Sequence, residues 1–241
     1  MKKIIVSALL TLLAYSGAFS LDLPLSAGAG GLFGYTFTRY TLKAGDVESR
    51  QTMDRTDYGV FLFFDAAYAA LSVLFQGGQG AFSENMLVAN EHTIADTQGT
   101  GYETSLGFSL MGKYPITVND AAVWFPMLGL EYHLARSQRR MVNNIVYDRT
   151  KGLLPEDRDK DDKPYPLSAW NSLWVNLGAG LDYTISDPFF LRTELIFGFR
   201  LPTAYENGAL ELVKKQTGIS NPSLSGLTRN PKLKLAAGYR L

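Results

Sequence analysis

The last ten residues of the chain alternate without a break: Leu233, Leu235, Ala237, Tyr239 and Leu241 on one parity, Lys232, Lys234, Ala236, Gly238 and Arg240 on the other. A period of two is the signature of an extended strand whose two faces meet different surroundings. The pattern returns along the chain. Phe189, Leu191, Leu195, Phe197, Phe199 and Leu201 oppose Phe190, Arg192, Glu194, Ile196, Gly198 and Arg200. Leu173, Val175, Leu177, Ala179, Leu181 and Tyr183 oppose Ser172, Trp174, Asn176, Gly178, Gly180 and Asp182. Trp124, Pro126, Leu128, Leu130, Tyr132 and Leu134 oppose Phe125, Met127, Gly129, Glu131 and His133, and the same contrast runs over Glu103 to Lys113 and Leu25 to Thr38. The stretch from Tyr58 to Gly77 is apolar on both parities, so a hydrophobic helix competes there, but its aromatic and β-branched content and Asp65 predict two strands with a turn near Asp65-Ala66. The fold class expected is all-β: an eight-stranded antiparallel up-and-down transmembrane barrel.

Connection lengths supply the topology. Short joints near Asp65, over 115–120 and over 184–188 alternate with long polar connections over about 43–57, 79–101, 135–167 and 203–231. In an up-and-down sheet this places every short turn at one end and four long extracellular loops at the other.

Alternation alone fits a water-soluble barrel as well, with its apolar parity inward. Residue size separates the two. The polar parity is crowded with Gly and Ser, a poor solvated surface but a suitable lining for a narrow lumen, whereas the opposite parity carries more Leu, Phe, Trp and Tyr than a small barrel encloses. The bulky parity is therefore expected against lipid. Tyr114, Trp124, Tyr183, Phe189 and Tyr239 gather at the short-turn end, and Phe37, Tyr58, Phe75, Tyr102 and Tyr132 towards the other, as two interfacial girdles would.

The N-terminus agrees with export. Lys2 and Lys3 precede an apolar run from Ile4 to Ala14, and Ala18-Phe19-Ser20 has the form of a cleavage site, so residues 1–20 read as a signal peptide and 21–241 as the barrel. The chain has no cysteine, which excludes disulfides and thiolate sites, and its formal net charge of zero gives no basic surface for nucleic acid.

The phrases Phe63-Phe64-Asp65-Ala66-Ala67-Tyr68, Leu110-Met111-Gly112-Lys113-Tyr114-Pro115 and Phe125-Pro126-Met127-Leu128-Gly129-Leu130-Glu131-Tyr132, with the terminal strand, resemble the small eight-stranded outer-membrane proteins of the OmpW-like and OmpA-membrane-domain type, particularly those of spirochaetes. The resemblance implies outer-membrane lipid, the barrel-insertion machinery and periplasmic chaperones as partners. It also implies a C-terminal sorting signal, matched here by Lys234, Tyr239 and Leu241, with Ala236 in place of glycine and Leu241 in place of the terminal aromatic. Small hydrophobic solutes leaving sideways through the wall are the cargo that the OmpW-like members suggest.

By parity the lumen-facing charged residues are Glu103, Lys113, Glu131, Asp182, Arg192, Glu194, Arg200, Lys232, Lys234 and Arg240, six cations against four anions. Two readings follow: a narrow, mildly anion-favouring channel, or a mutually satisfied plug beneath a surface scaffold or adhesin whose loops bind a host or environmental ligand. Arg136, Arg139 and Arg140 form a basic cluster at a loop base. His92 and His133 are the only histidines, Glu131 shares a parity with His133, and no hydrolase, zinc or phosphate-loop motif occurs, so no enzyme activity and no cofactor are expected. The run Asp157 to Lys163 resembles a calcium loop but lacks its glycine and glutamate.

Overall fold

The computed structural model describes residues 25–45, 47–88, 92–142, 145–148, 167–204, 206–208, 211 and 222–241. The expected signal peptide lies outside these residues, as do the Asp157 to Lys163 run and much of the third and fourth connections. The strands are β1 Leu25–Ala44, β2 Val47–Ala66, β3 Ala69–Val88, β4 His92–Lys113, β5 Ile116–Asn119, β6 Ala122–Val142, β7 Ile145–Asp148, β8 Ser172–Ser186, β9 Phe189–Arg200 and β10 Ser223–Arg240. Eight of them close a ring in the order β1-β2-β3-β4-β6-β8-β9-β10 and back to β1, every pair antiparallel. The short β5 and β7 add to the two ends of β6. Closure leaves the ring no unpaired edge.

The exterior is apolar. Val60, Leu62, Phe75, Leu128, Leu130, Leu195 and Leu235 are all at least half exposed, while Leu74 and Ile196 inside are wholly buried. A belt of this size around a closed ring cannot be stable against water and requires lipid. Its rim carries rings in contact, Tyr68 with Tyr114 and Phe189 with Tyr239, at the short-turn end. At the opposite edge the outward face turns ionic, where Arg39 and Asp54 form a two-pronged pair at 2.6 and 3.0 Å. No helix among the described residues is long and apolar enough to cross a membrane; the strands do so.

The first two connections differ from the expected loops. β1 and β2 stay paired from Leu25↔Ala66 to Ala44↔Val47, and β3 and β4 from Ala69↔Gly112 to Val88↔His92. Most of 43–57 and 79–101 is thus ladder. About ten residues suffice to cross the lipid, and β1 to β4 have 20 to 22. Above the lipid both faces of a strand meet water, so the contrast between parities fades although the hydrogen bonds continue. The β2–β3 turn falls at Ala67-Tyr68, two residues later than expected, with Ala67 at φ 50° in the left-handed region. Asp65 therefore belongs to the strand and points inward.

The glycine-rich parity has a second use besides lining a lumen. Gly28 lies directly across from Phe63, Gly238 from Phe190 and Gly180 from Phe125. Each ring lies over the glycine opposite, in the space a Cβ would take; one added to Gly28 would lie 2.5 Å from Cε1 of Phe63. Phe61, Phe63, Phe190, Leu32, Leu74 and Ala236 join into one buried cluster, and Phe125, Met111, Met127, Ala70 and Ile196 into another. Gly31 by contrast faces outward, with nothing nearer than 3.8 Å to an added Cβ. Gly28→Ala should cost about 1–3 kcal/mol in urea unfolding of the refolded barrel, and Gly31→Ala should leave the midpoint within about 0.5 kcal/mol of the parent.

Candidate functional site

The interior is built in layers. At the short-turn end Arg192, on β9, is a hub. Its guanidinium grips both oxygens of Asp182 on β8 at 2.6 Å and reaches Asp65 on β2 at 2.5 Å. Lys113 from β4 meets the same Asp65 oxygen at 2.6 Å. The rings of Phe63, Phe125 and Phe190 surround the guanidinium at 4.4 to 5.4 Å. Arg240 lies over Phe190 and donates to the Thr184 hydroxyl at 2.8 Å.

One layer higher, Glu194 stands 3.8 Å from both Arg192 and Lys234, and Lys234 sits over Phe61. Glu131, with no exposed surface, accepts from Lys232, from His133 Nε2 at 2.5 Å and from Asn176 at 3.1 Å. Above them Asp57 accepts from Asn230 at 2.7 Å and from Thr36, and pairs with Arg55 at 2.7 Å; Arg55 in turn reaches Glu103 at 2.5 Å. Every layer ties together strands from different sides of the ring. Buried charges of this kind require partners, and each of these has one.

Arg55, Asp57 and Asp65 are missing from the parity-based set, because the first two fall in the expected first loop and the third in the expected turn. Their signal was present: Arg55, Asp57, Phe61, Phe63 and Asp65 share one parity of an unbroken strand. Their inclusion reduces the cationic excess among the described residues to one. With Glu206 capping Arg200, inward cations and anions become equal in number, so the anion-favouring expectation has no net charge behind it.

His133 lies between a carboxylate and a serine. Its Nε2–H donates to Glu131, and its Nδ1 faces both the Gln76 side-chain nitrogen at 3.0 Å and the Ser105 hydroxyl at 3.3 Å. Serine, histidine and glutamate thus fall in line, but the amide of Gln76 occupies the lone pair that a base would use, and Ser105 is buried. Among the described residues no group of three acidic or histidine side chains is placed to hold a metal.

The expected basic cluster at the loop base lies on the upper part of β6. Arg136 is the extra residue where β6 shifts register against Thr104 and Ser105 of β4, and it is exposed; Arg139, six residues beyond His133 and past that bulge, is also exposed. Arg140 pairs with Gly101. Lys234 of the expected sorting signal points into the lumen, while Tyr239 and Leu241 lie on the exterior.

Above the Glu131 layer the lumen opens. There a cup of about 160 Å³ is walled by Thr38, Tyr40, Arg55, Trp170, Trp174 and Arg200, among others. Its wall is uneven, because β8 begins at Ser172 and β9 ends at Arg200 while β1 to β4 and β6 rise past them. The low side is finished by a capping box. The Thr203 hydroxyl accepts from the Glu206 N–H at 3.3 Å, the Glu206 carboxylate accepts from the Thr203 N–H at 2.7 Å, and that carboxylate also holds Arg200. Beyond the lipid, at the tip of the β1–β2 hairpin, Arg50 at 2.6 Å and Lys43 at 3.1 Å hold the Glu48 carboxyl below the ordinary carboxylate range.

The closed antiparallel ring and outward apolar belt are the architecture of a small outer-membrane β-barrel. The sequence matches no protein-family model and no curated protein. Among solved structures the chain is similar to the outer membrane protein OprG of Pseudomonas aeruginosa, at 11% identity over 91% of this chain and 96% of that one, with a TM-score of 0.38. It is also similar to Neisserial surface protein A, at 10% identity over 89% and 99% with a TM-score of 0.34. A third similar structure is the outer membrane protease OmpT of Escherichia coli, at 8% identity over 92% and 98% with a TM-score of 0.35.

If the Glu131 layer is an ion network and not loose polar filling, Glu131→Gln strands Lys232 without an anion and should cost about 3–5 kcal/mol in chemical unfolding. Glu131→Gln combined with Lys232→Met should recover most of that loss.

Proposed function

We propose that this protein is an outer-membrane barrel with a closed lumen that displays an extracellular binding face, and that it is neither a pore nor an enzyme. The observation that carries this reading is the filled cross-section between the Arg192 hub and the Glu131 layer. Arg192, Phe125, Phe190, Lys234, Ile196, Glu131 and Asn176 each expose at most 1% of their surface there. A passive channel needs a continuous wet path, and opening one would break several buried ion pairs at once. Eight strands enclose an interior that side chains just fill.

The expected narrow channel, and lateral exit of small hydrophobic solutes, are the competing reading. The inward apolar side chains of Phe61, Leu74 and Ile196, from two buried clusters, favour it, but Glu131 and its buried partners lie above them. The absence of catalysis is supported by the engaged Nδ1 of His133. Export through a signal peptide cleaved near Ser20, and insertion directed by Lys234, Tyr239 and Leu241, belong to the same proposal, with outer-membrane lipid, periplasmic chaperones and the insertion machinery as partners. A host or environmental molecule is then the ligand of the extracellular face.

Refolded residues 21–241 should insert into a planar bilayer with full β-structure by circular dichroism and show no discrete conductance steps at moderate voltage. Reproducible steps of uniform size would contradict the closed lumen and restore the channel.

A further inference from the structure

The cup above the Glu131 layer has the chemistry of a site for one particular class of ligand. Its charges are internally neutralised: Arg55 lies between Asp57 and Glu103, and Arg200 is held by Glu206. An anion would have to compete with carboxylates already in place, and a cation with the two guanidinium groups, so neither gains a free counter-charge. What the cup offers instead is directional. Arg200 keeps a buried Nε–H with no acceptor, while its Nη2 donates to the Tyr40 hydroxyl at 3.0 Å. Thr38 and Ser172 add hydroxyls with capacity left, Thr38 already sharing a hydrogen bond with the Thr228 hydroxyl at 3.2 Å and Ser172 accepting from Trp174 Nε1 at 2.9 Å. Trp170, Trp174, Tyr40 and Phe82 supply apolar ring surface on the walls.

A ligand that meets these demands together is neutral, carries acceptors and donors around its edge, and has an apolar face. A purely apolar ring would leave the arginine and hydroxyl groups dry and unpaired. The volume limits it further. About 160 Å³ is close to the roughly 150 Å³ cavity that accommodates a single six-membered ring. We propose that the extracellular cup binds one neutral sugar ring, held edge-on by Arg200 and its neighbours and face-on by a tryptophan. The inference rests on the reading of this end of the barrel as an extracellular binding face.

The chain suits a direct test, because two of its three tryptophans, Trp170 and Trp174, line the cup and Trp124 faces out towards the lipid. The full-length barrel, in lipid discs free of sugar-headed detergent, is titrated with methyl glycosides of glucose, galactose and N-acetylglucosamine. Binding is followed by tryptophan fluorescence and by saturation-transfer NMR on the sugar. The expected result is saturable binding of at least one glycoside with a Kd of about 1 mM, weakened about tenfold in Trp170→Ala and also weakened in Glu206→Gln, with circular dichroism unchanged in both. Toluene, tetramethylammonium and acetate serve as apolar, cationic and anionic probes.

No saturable sugar binding by a correctly inserted barrel overturns the inference, as does saturation by any of the three other probes at lower concentration than the sugars. Sugar binding that survives Trp170→Ala and Glu206→Gln at full strength places it elsewhere and overturns the cup as its site. The same preparation is run in a planar bilayer: silence with no sugar binding removes this inference alone, whereas conductance removes the closed-barrel reading beneath it.

Discussion

Arg192 is the residue on which the interior depends. A guanidinium with only 1% of its side chain exposed is costly to bury unless its positive charge and its donors are met in place. Here Asp182 takes two donors and Asp65 a third, Nη1 has no hydrogen-bond partner but lies 3.8 Å from Glu194, and three phenylalanine rings cover its face. Those partners come from β2, β6, β8 and β9, so satisfying one side chain fixes the relative register of staves on opposite sides of the ring. The glycines make this geometry accessible. Gly28, Gly180 and Gly238 leave room for Phe63, Phe125 and Phe190 to lie flat over the neighbouring strand and present their faces to the arginine.

How much of this was legible in the sequence depended on solvent. Where lipid lies outside and polar groups inside, alternation is sharp, and the parities of β8, β9 and β10 were readable residue by residue, from Asp182 and Arg192 to Lys234. Where water lies on both faces, as in the upper halves of β1 to β4, the two parities become alike and the strands read as loops. That is why Arg55 and Asp57 carry the pattern of loop residues in the sequence. Asp65 was hidden differently: a carboxylate beside two alanines resembles a turn, and only its ladder pairing with Ala70 shows it to be strand. Pairings across the ring, such as Glu131 with Lys232 or Arg192 with Asp65, have no one-dimensional signal, since they depend on how far the strands are staggered.

The unequal height of the wall connects the fold to its use. Strands that continue past the lipid on one side and stop on the other produce a cup open to the exterior, floored by ions and rimmed by aromatic and hydroxyl groups. The filled section below separates that cup from the opposite end. On the proposed reading the molecule is a surface with a membrane anchor, and Tyr40, Trp170, Arg200 and Glu206 are where its specificity would reside.

Whether the barrel is shut at mid-height can be read from thiol accessibility, because the sequence contains no cysteine of its own. Thr38→Cys places a thiol in the cup, and Ser26→Cys places one below the Arg192 hub. In sealed vesicles with the cup outward, a charged, membrane-impermeant thiol reagent added outside should label the first and spare the second, which should react only when the reagent is loaded inside. Labelling of Ser26→Cys from outside at a rate comparable to Thr38→Cys would mean an open path through the barrel and would contradict the account.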